Sequence, residues 1–177
     1  MRDSAALLDA AQGPAAGDPY VIPAPARPYS QAVTVPPVPL RIAVAMRAWS
    51  GAPIEQEVID AVEKTARLCE SLGHRVEESS PKFNYSEFRE ACIRGWAAGM
   101  TMWIDMLATA TGRVPGPDYL ETATLSAYEF GRSLSAKQVL EVPAMLNRIC
   151  RAVGPFFQKY DMLLTPTTSR HVPPSLR

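Results

Sequence analysis

Between Leu40 and Glu78 the sequence reads LRIAVAM, then SGAPIEQEVIDAVEKTARLCESLG, then HRVEE, and this stretch restricts the fold more than any other. LRIAVAM is a short apolar run with β-branched Ile42 and Val44, the pattern of a buried strand. In the middle segment Val58, Val62, Ala66 and Cys69 recur at helical spacing, with Ile59 and Leu72 on the same side. Glu57, Asp60, Glu63, Lys64, Arg67 and Glu70 face away. Asp60 with Lys64, and Glu63 with Arg67, are acid-before-base pairs one turn apart, each contributing about 0.2–0.5 kcal/mol. Gly73 sits where a left-handed C-terminal cap belongs, and His74 to Glu78 returns as a second strand. The result is a βαβ unit, whose crossover makes its two strands parallel. Met162 to Thr165 is a further strand candidate, and the helices between 78 and 161 must cover the sheet.

A chain of 177 residues is long enough for one domain with a real core. Its 18 basic and 18 acidic side chains balance, which gives a nucleic acid nothing to hold. No run approaches the roughly 18 apolar residues of a membrane span, so neither nucleic acid nor membrane is an expected partner. The start, MRDSAALLDAAQG, lacks a basic region followed by an apolar one, so no signal peptide is read there. Cys69, Cys92 and Cys150 are odd in number and far apart, which predicts buried free thiols in a reducing cytoplasm. No pair of Cys or His has metal-ligand spacing, and no cofactor is expected.

Residues 1–39 are expected to form a helix and a proline-rich link, and residues 40–177 the βαβ unit, its helical cover and a final strand. Asp3 to Ala11 reads as a short helix capped by Asp3 or Ser4 and stopped by Gly13-Pro14. It is too short to be stable alone. Pro14 to Pro39 reads as extended and irregular, with Tyr20, Val21, Ile22 and Tyr29 apolar enough to lie along a surface. Beyond Pro81, Asn84 or Ser86 starts a long helix that Gly112 ends. Cys92, Trp96, Met100, Trp103 and Leu107 share one face of it. Gly95 and Gly99, one turn apart, point to close packing against another element or a ligand. Pro117 and Asp118 open a helix toward Phe130, which Gly131 ends. Ser135 with Gln138 forms a capping box for the next helix. Its buried side carries Val139, Val142, Leu146, Ile149, Cys150, Val153 and Phe157, with a kink at Pro143 and an end near Pro155.

Apart from the histidines, three features are candidates for chemistry, and each has a plain structural alternative. His74 and His171 are the only histidines, and without a GxSxG elbow no Ser-His-Asp arrangement is supported. Ser79, Ser80 and Lys82 offer hydroxyls beside an amine, though a strand-end turn before Pro81 is the favoured account of them. Cys92, Trp96 and Trp103 suit a substrate-binding wall, the alternative being core packing. Thr165 to Ser169 is hydroxyl-rich and follows a strand, where parallel sheets often bind ligands, yet a structural turn accounts for it too. Phosphate-binding glycine loops are absent.

The order of the pieces resembles the amidase-signature hydrolases. RDSAALLDAAQGPAAGDPY is similar to the family's R-D-x-A-L-L-L-D helix followed by GP and GDP turns. LRIAVAM, SLGHRVEESSP and YDMLLTPTT match later strands of the family. GRVPGPDYLE, AYEFGRSL and FFQKYDMLLTPT look like the branch that contains 6-aminohexanoate-cyclic-dimer hydrolase. Almost the whole chain is covered.

The resemblance implies the C-terminal portion of the amidase-signature fold, an α/β mixed sheet with covering helices that is incomplete in this chain. Members use a Ser–cis-Ser–Lys triad that precedes the RDxALLLD helix, and no residue here matches it. The chain thus starts just after the triad and stops before the family's usual end. In the complete enzyme the serine attacks an amide carbonyl, the lysine moves the proton through the cis-serine, and water releases the acid. This piece would supply sheet cover and a wall of the cavity for a small-molecule amide substrate. Its partner would be the missing N-terminal amidase half, and alone it would be inactive and either unstable or self-associating. The other class left open is a noncatalytic binding or interaction module on the same half-fold, marked by a stable monomer with its own ligand.

Overall fold

In a computed structural model the described residues are 1–170. His171 lies outside them. The chain divides into two compact units, Met1–Leu40 and Arg41 onward.

The first unit holds helix α1 (Arg2–Ala11) and the one-turn helix α2 (Tyr29–Ala32). Neither Asp3 nor Ser4 caps α1. The helix begins one residue earlier than the sequence pattern predicts, with Met1 in the cap position and Asp3 inside the first turn. The proline-rich link is less irregular than its composition predicts. The Asp9 carboxylate accepts the backbone N–H groups of Tyr29 (2.7 Å) and Ser30 (2.9 Å), tying the link back to α1 and capping α2. Tyr20, Val21 and Ile22 are exposed.

The second unit is built on strand β1 (Arg41–Val44), with β2 (Arg75–Glu78) on one side and β3 (Met162–Leu164) on the other. All three described strands are parallel, in register Arg41 to Arg75 and Ile42 to Met162. Ile42, Ala43, Val44 and Ala45 are buried on both faces, as an unbroken apolar run requires. The crossover between β1 and β2 is α3 (Gln56–Ser71). Its end follows the predicted glycine cap. Gly73 has φ +89°, its N–H bonds the Glu70 carbonyl (2.9 Å), and the His74 N–H bonds that of Cys69 (3.1 Å). Of the two predicted surface pairs, Arg67 meets Glu63 at 3.3 Å, whereas Asp60 accepts from Gln56 at 2.8 Å.

Side chains also stitch the strands together. Arg41 grips the Asp161 carboxylate with Nη2 at 2.8 Å and Nε at 3.1 Å, while the Arg41 backbone N–H donates to the same group (2.8 Å). The buried Tyr160 hydroxyl donates to Glu77 (2.6 Å), and Lys159 Nζ donates to both Glu77 (3.0 Å) and the Tyr160 oxygen (2.8 Å). The Tyr160 hydroxyl, and then Lys159, hold Glu77 below the usual carboxylate range.

Between β2 and β3 come α4 (Tyr85–Thr111), which packs against α5 (Thr122–Ser133) and α6 (Ala136–Val153), and then the single turn α7 (Phe156–Lys159). Asn84 caps α4 by accepting the Glu87 N–H (3.1 Å), and Gly112 ends it at φ +68°. Ser135 and Gln138 form the predicted capping box of α6, which runs through Pro143. Three expectations fail here. First, α5 begins at Thr122, because residues 116–120 form a turn in which Tyr119 and Leu120 both donate to the Gly116 carbonyl. Second, α5 passes through Gly131 instead of ending there. A Cβ on Gly131 would lie 2.3 Å from the Ala97 carbonyl oxygen and 2.2 Å from Thr101 Oγ1, so the α4–α5 contact needs a residue without one. Third, α6 buries Val142, Met145 and Ile149, and exposes Val139 and Cys150. Phe157 belongs to α7 and is also exposed. The thiols are accordingly less buried than predicted: Cys69 and Cys92 are half-buried and Cys150 is exposed. No helix of the described residues is long and apolar enough to cross a membrane.

Two glycines give opposite expectations. Gly131→Ala must push backbone against backbone and is expected to cost about 1–3 kcal/mol. Gly99→Ala meets nothing within 4 Å and is expected to stabilise the helix by up to about 1 kcal/mol. Chemical denaturation of both variants checks the pair.

Arg41 holds the Asp161 carboxyl down at about 2, against about 3.9 in an unfolded chain. The unfolded state then binds more protons, so this contribution is fully present above about pH 3.9 and is lost as pH falls through about 2. Asp161→Asn is expected to lower the urea midpoint at neutral pH and to flatten its fall between pH 4 and pH 2.

Candidate functional site

Two surfaces of the second unit carry the predicted site residues. The first is α4. A helix this long presents several faces, and its small residues decide which one is buried. Ala91 and Ala97 are buried, the first in a cluster with Val142 and Met145 of α6. Gly95 lies opposite Val142, where an added Cβ would make an ordinary 3.5 Å contact. Arg94 reinforces the α4–α6 contact, bonding Glu90 on its own helix and Glu141 of α6 (3.3 Å). Glu87 receives Arg148 at 2.7 Å. Toward α5, the Thr101 hydroxyl lies 2.9 Å from the Ala97 carbonyl and 3.2 Å from that of Tyr128. The buried Tyr128 donates its own hydroxyl to Asp105 (2.7 Å), which raises its pKa above the ordinary tyrosine value.

The bulky residues are left over on the other side. Trp96 is 75% exposed and Trp103 is 58% exposed. Together with Gly95, Gly99 and Met100 they line a shallow recess of about 450 Å³. Cys92, one turn before Trp96, is half-buried and stands outside that lining. The helix therefore brings the two tryptophans together and leaves the thiol beside them. Within the described residues neither indole is core, so packing inside this chain does not account for them. Gly99 has no neighbour within 4 Å of an added Cβ, and so is not a close-packing glycine here.

The second surface is the carboxyl edge of the sheet. Arg47, Ala48, Trp49, Ser50, Tyr85 and the loop Thr165–Ser169 enclose a recess of about 270 Å³ there. Trp49 Nε1 donates to the Pro81 carbonyl (3.1 Å), and the Glu55 N–H donates to the Ser169 carbonyl (2.9 Å). The sequence pattern singles out only the hydroxyl-rich loop. Arg47 and Trp49 come from the segment after β1 and Tyr85 from the start of α4 after β2, and nearness to a strand's end is the sole sequence signal they carry. Ser79 and Ser80 gain no catalytic geometry, since no hydrogen bond joins either to Lys82 among the described residues. The Ser79 N–H instead donates to the Val44 carbonyl (3.1 Å), extending the sheet. His74 sits in the cap that ends α3.

Residues 1–175 match the protein family described as Amidase. The chain belongs to the amidase family. An amidase-family protein of Synechocystis sp. is 31% identical over 182 residues, covering 98% of this chain and 31% of its own length. The 6-aminohexanoate-cyclic-dimer hydrolase of Pseudomonas sp. is 34% identical over 176 residues, covering 98% of this chain and 36% of its own. Among solved structures, a 6-aminohexanoate cyclic dimer hydrolase complexed with substrate superposes with a TM-score of 0.85 at 24% identity, over 97% of this chain and 36% of that one. A bacterial aryl acylamidase of the amidase-signature family gives 0.78 at 19% identity. The likeness to both structures is one of fold. The chain spans about a third of the length of the relatives it matches, and so corresponds to part of an amidase.

Because Trp96 is so exposed, Trp96→Phe in this chain is expected to change stability by no more than about 0.5 kcal/mol. Thermal unfolding of the 177-residue protein checks it, and a drop of several degrees would place the indole in the chain's own core.

Proposed function

We propose that this chain forms the part of an amidase that covers the sheet and walls the substrate cavity, and that it hydrolyses nothing by itself. The observation that carries this reading is the amidase match over residues 1–175 by a chain only about a third as long as its relatives. The absence of any Ser–Lys hydrogen bond around Ser79, Ser80 and Lys82 supports it. The complete enzyme acts in the cytoplasm on a small-molecule amide, cleaving a carbon–nitrogen bond outside a peptide backbone. Nucleophile and proton shuttle come from the remainder of the amidase fold, in one longer polypeptide or as a separate partner. The contribution of these residues is shape and dryness. Trp96 and Trp103 offer large rigid apolar surfaces, each with one N–H donor, beside the Cys92 thiol, and amide cavities are mostly apolar with a few placed donors. Without the remaining fold these faces stay open to water, which favours self-association of the isolated chain.

Incubation of the purified chain with aryl amides, aryl esters and cyclic amide dimers is expected to give no turnover above background. Turnover that disappears in Ser80→Ala or Lys82→Ala overturns the reading. In a complete enzyme containing this sequence, Trp96→Phe and Cys92→Ala are expected to shift KM or substrate preference while the melting temperature holds. Lowered melting with unchanged kinetics in both would make α4 scaffold only.

A further inference from the structure

The recess at the carboxyl edge of the sheet has properties that the amidase reading does not use. Its place is one: loops following β1 and β3 meet there, where parallel sheets leave room for ligands. Its charge is another. Among the described residues Arg47 is the only charged one lining it, and there the guanidinium has neither an ion pair nor a hydrogen bond. No carboxylate of the described residues lines the recess to neutralise it. The third is its rigidity. The Trp49 indole is pinned to Pro81, Glu55 to Ser169, and the Ala45 N–H to the Leu164 carbonyl (2.9 Å), so the walls stand ready without a ligand. The hydroxyls divide into used and free. Thr168 donates to the Arg170 carbonyl (2.8 Å), and Ser50 accepts from the Ala52 N–H (3.2 Å). Among the described residues Thr165, Thr167 and Tyr85 make no hydrogen bond through theirs.

We propose that this recess binds a small carboxylate, held on the Arg47 guanidinium fork with the free hydroxyls of Thr165 and Thr167 donating to its oxygens. The fork matches a planar carboxylate with two parallel hydrogen bonds. One cation balances one negative charge, whereas a phosphate group at neutral pH carries more. The volume lies below the roughly 300–1,000 Å³ of drug-sized pockets, which limits the ligand to a short chain. Binding of this kind does not depend on catalysis, so its test is separate from that of the amidase reading.

The chain's three tryptophans supply the readout, since only Trp49 lines the recess. In the nitrogen-15-labelled 177-residue protein, titration with propionate at constant ionic strength is expected to move the Trp49 indole N–H signal saturably. The signals of Trp96 and Trp103 should stay in place. Arg47→Gln is expected to weaken binding at least about tenfold, the worth of a charge-assisted hydrogen bond, and the exposed-site control Arg89→Gln to leave it unchanged. Arg47→Lys keeps the charge without the fork and is expected to weaken binding as well. It also decides the matter if Arg47→Gln fails to fold. No saturable shift of Trp49, an unchanged affinity in Arg47→Gln or Arg47→Lys, or tighter binding of inorganic phosphate than of propionate overturns the proposal.

Discussion

β1 is flanked on both edges and covered on both faces, and the second unit takes its form from that. Ile42 through Ala45 are buried, and Ala43 is wholly inaccessible. A strand so enclosed must pass all its backbone hydrogen bonds to neighbours, because water cannot reach them. β2 and β3 meet that demand in parallel register, and the Ala45–Leu164 and Ser79–Val44 bonds continue the pairing past the strand ends. Parallel pairing in turn obliges each connection to cross over the sheet. α3 makes one crossing, and α4, α5 and α6 lie within the other.

Where α4, α5 and α6 pack on one another, small residues decide which way they turn. Ala91 and Ala97 let α4 approach α6 and α5, and Gly131 lets α5 sit against the Ala97 carbonyl. Bulky side chains cannot enter contacts that close. Trp96, Met102, Trp103 and Met106 are therefore turned outward and exposed. An amidase-family chain about a third the length of its relatives has reason to carry such a face, since most of the fold it belongs to lies outside these residues.

Charge is spent on alignment more than on chemistry in this unit. Arg41 with Asp161 fixes where β1 and β3 begin relative to each other, and Glu77 with Tyr160 and Lys159 links the segment before β3 to β2. These groups are satisfied by one another. Arg47 is the exception among the residues lining the sheet's carboxyl edge, a cation left open beside free hydroxyls.

The sequence by itself determined the βαβ unit, the Gly73 cap, the Asn84 and Gly112 ends of α4, the capping box of α6 and the family. These are local or ordered signals: a glycine at positive φ, a side chain reaching three residues on, apolar residues at a fixed period, six motifs in series. The strand near 162 and the parallel pairing of β1 with β2 were legible for the same reason. Tertiary structure decided what periodicity cannot hold. The apolar face of α4 was readable, but whether it turned inward depended on Ala91, Ala97 and a glycine on another helix. Gly131 looked like a stop because local propensity makes glycine a helix breaker, while the backbone contact it permits exists only after α4 and α5 have met. Asp9 capping Tyr29, and Arg47 lining one recess with Thr165 and Thr167, join residues with no shared pattern along the chain. Their meeting is a property of the folded backbone, and no period or spacing in the sequence encodes it.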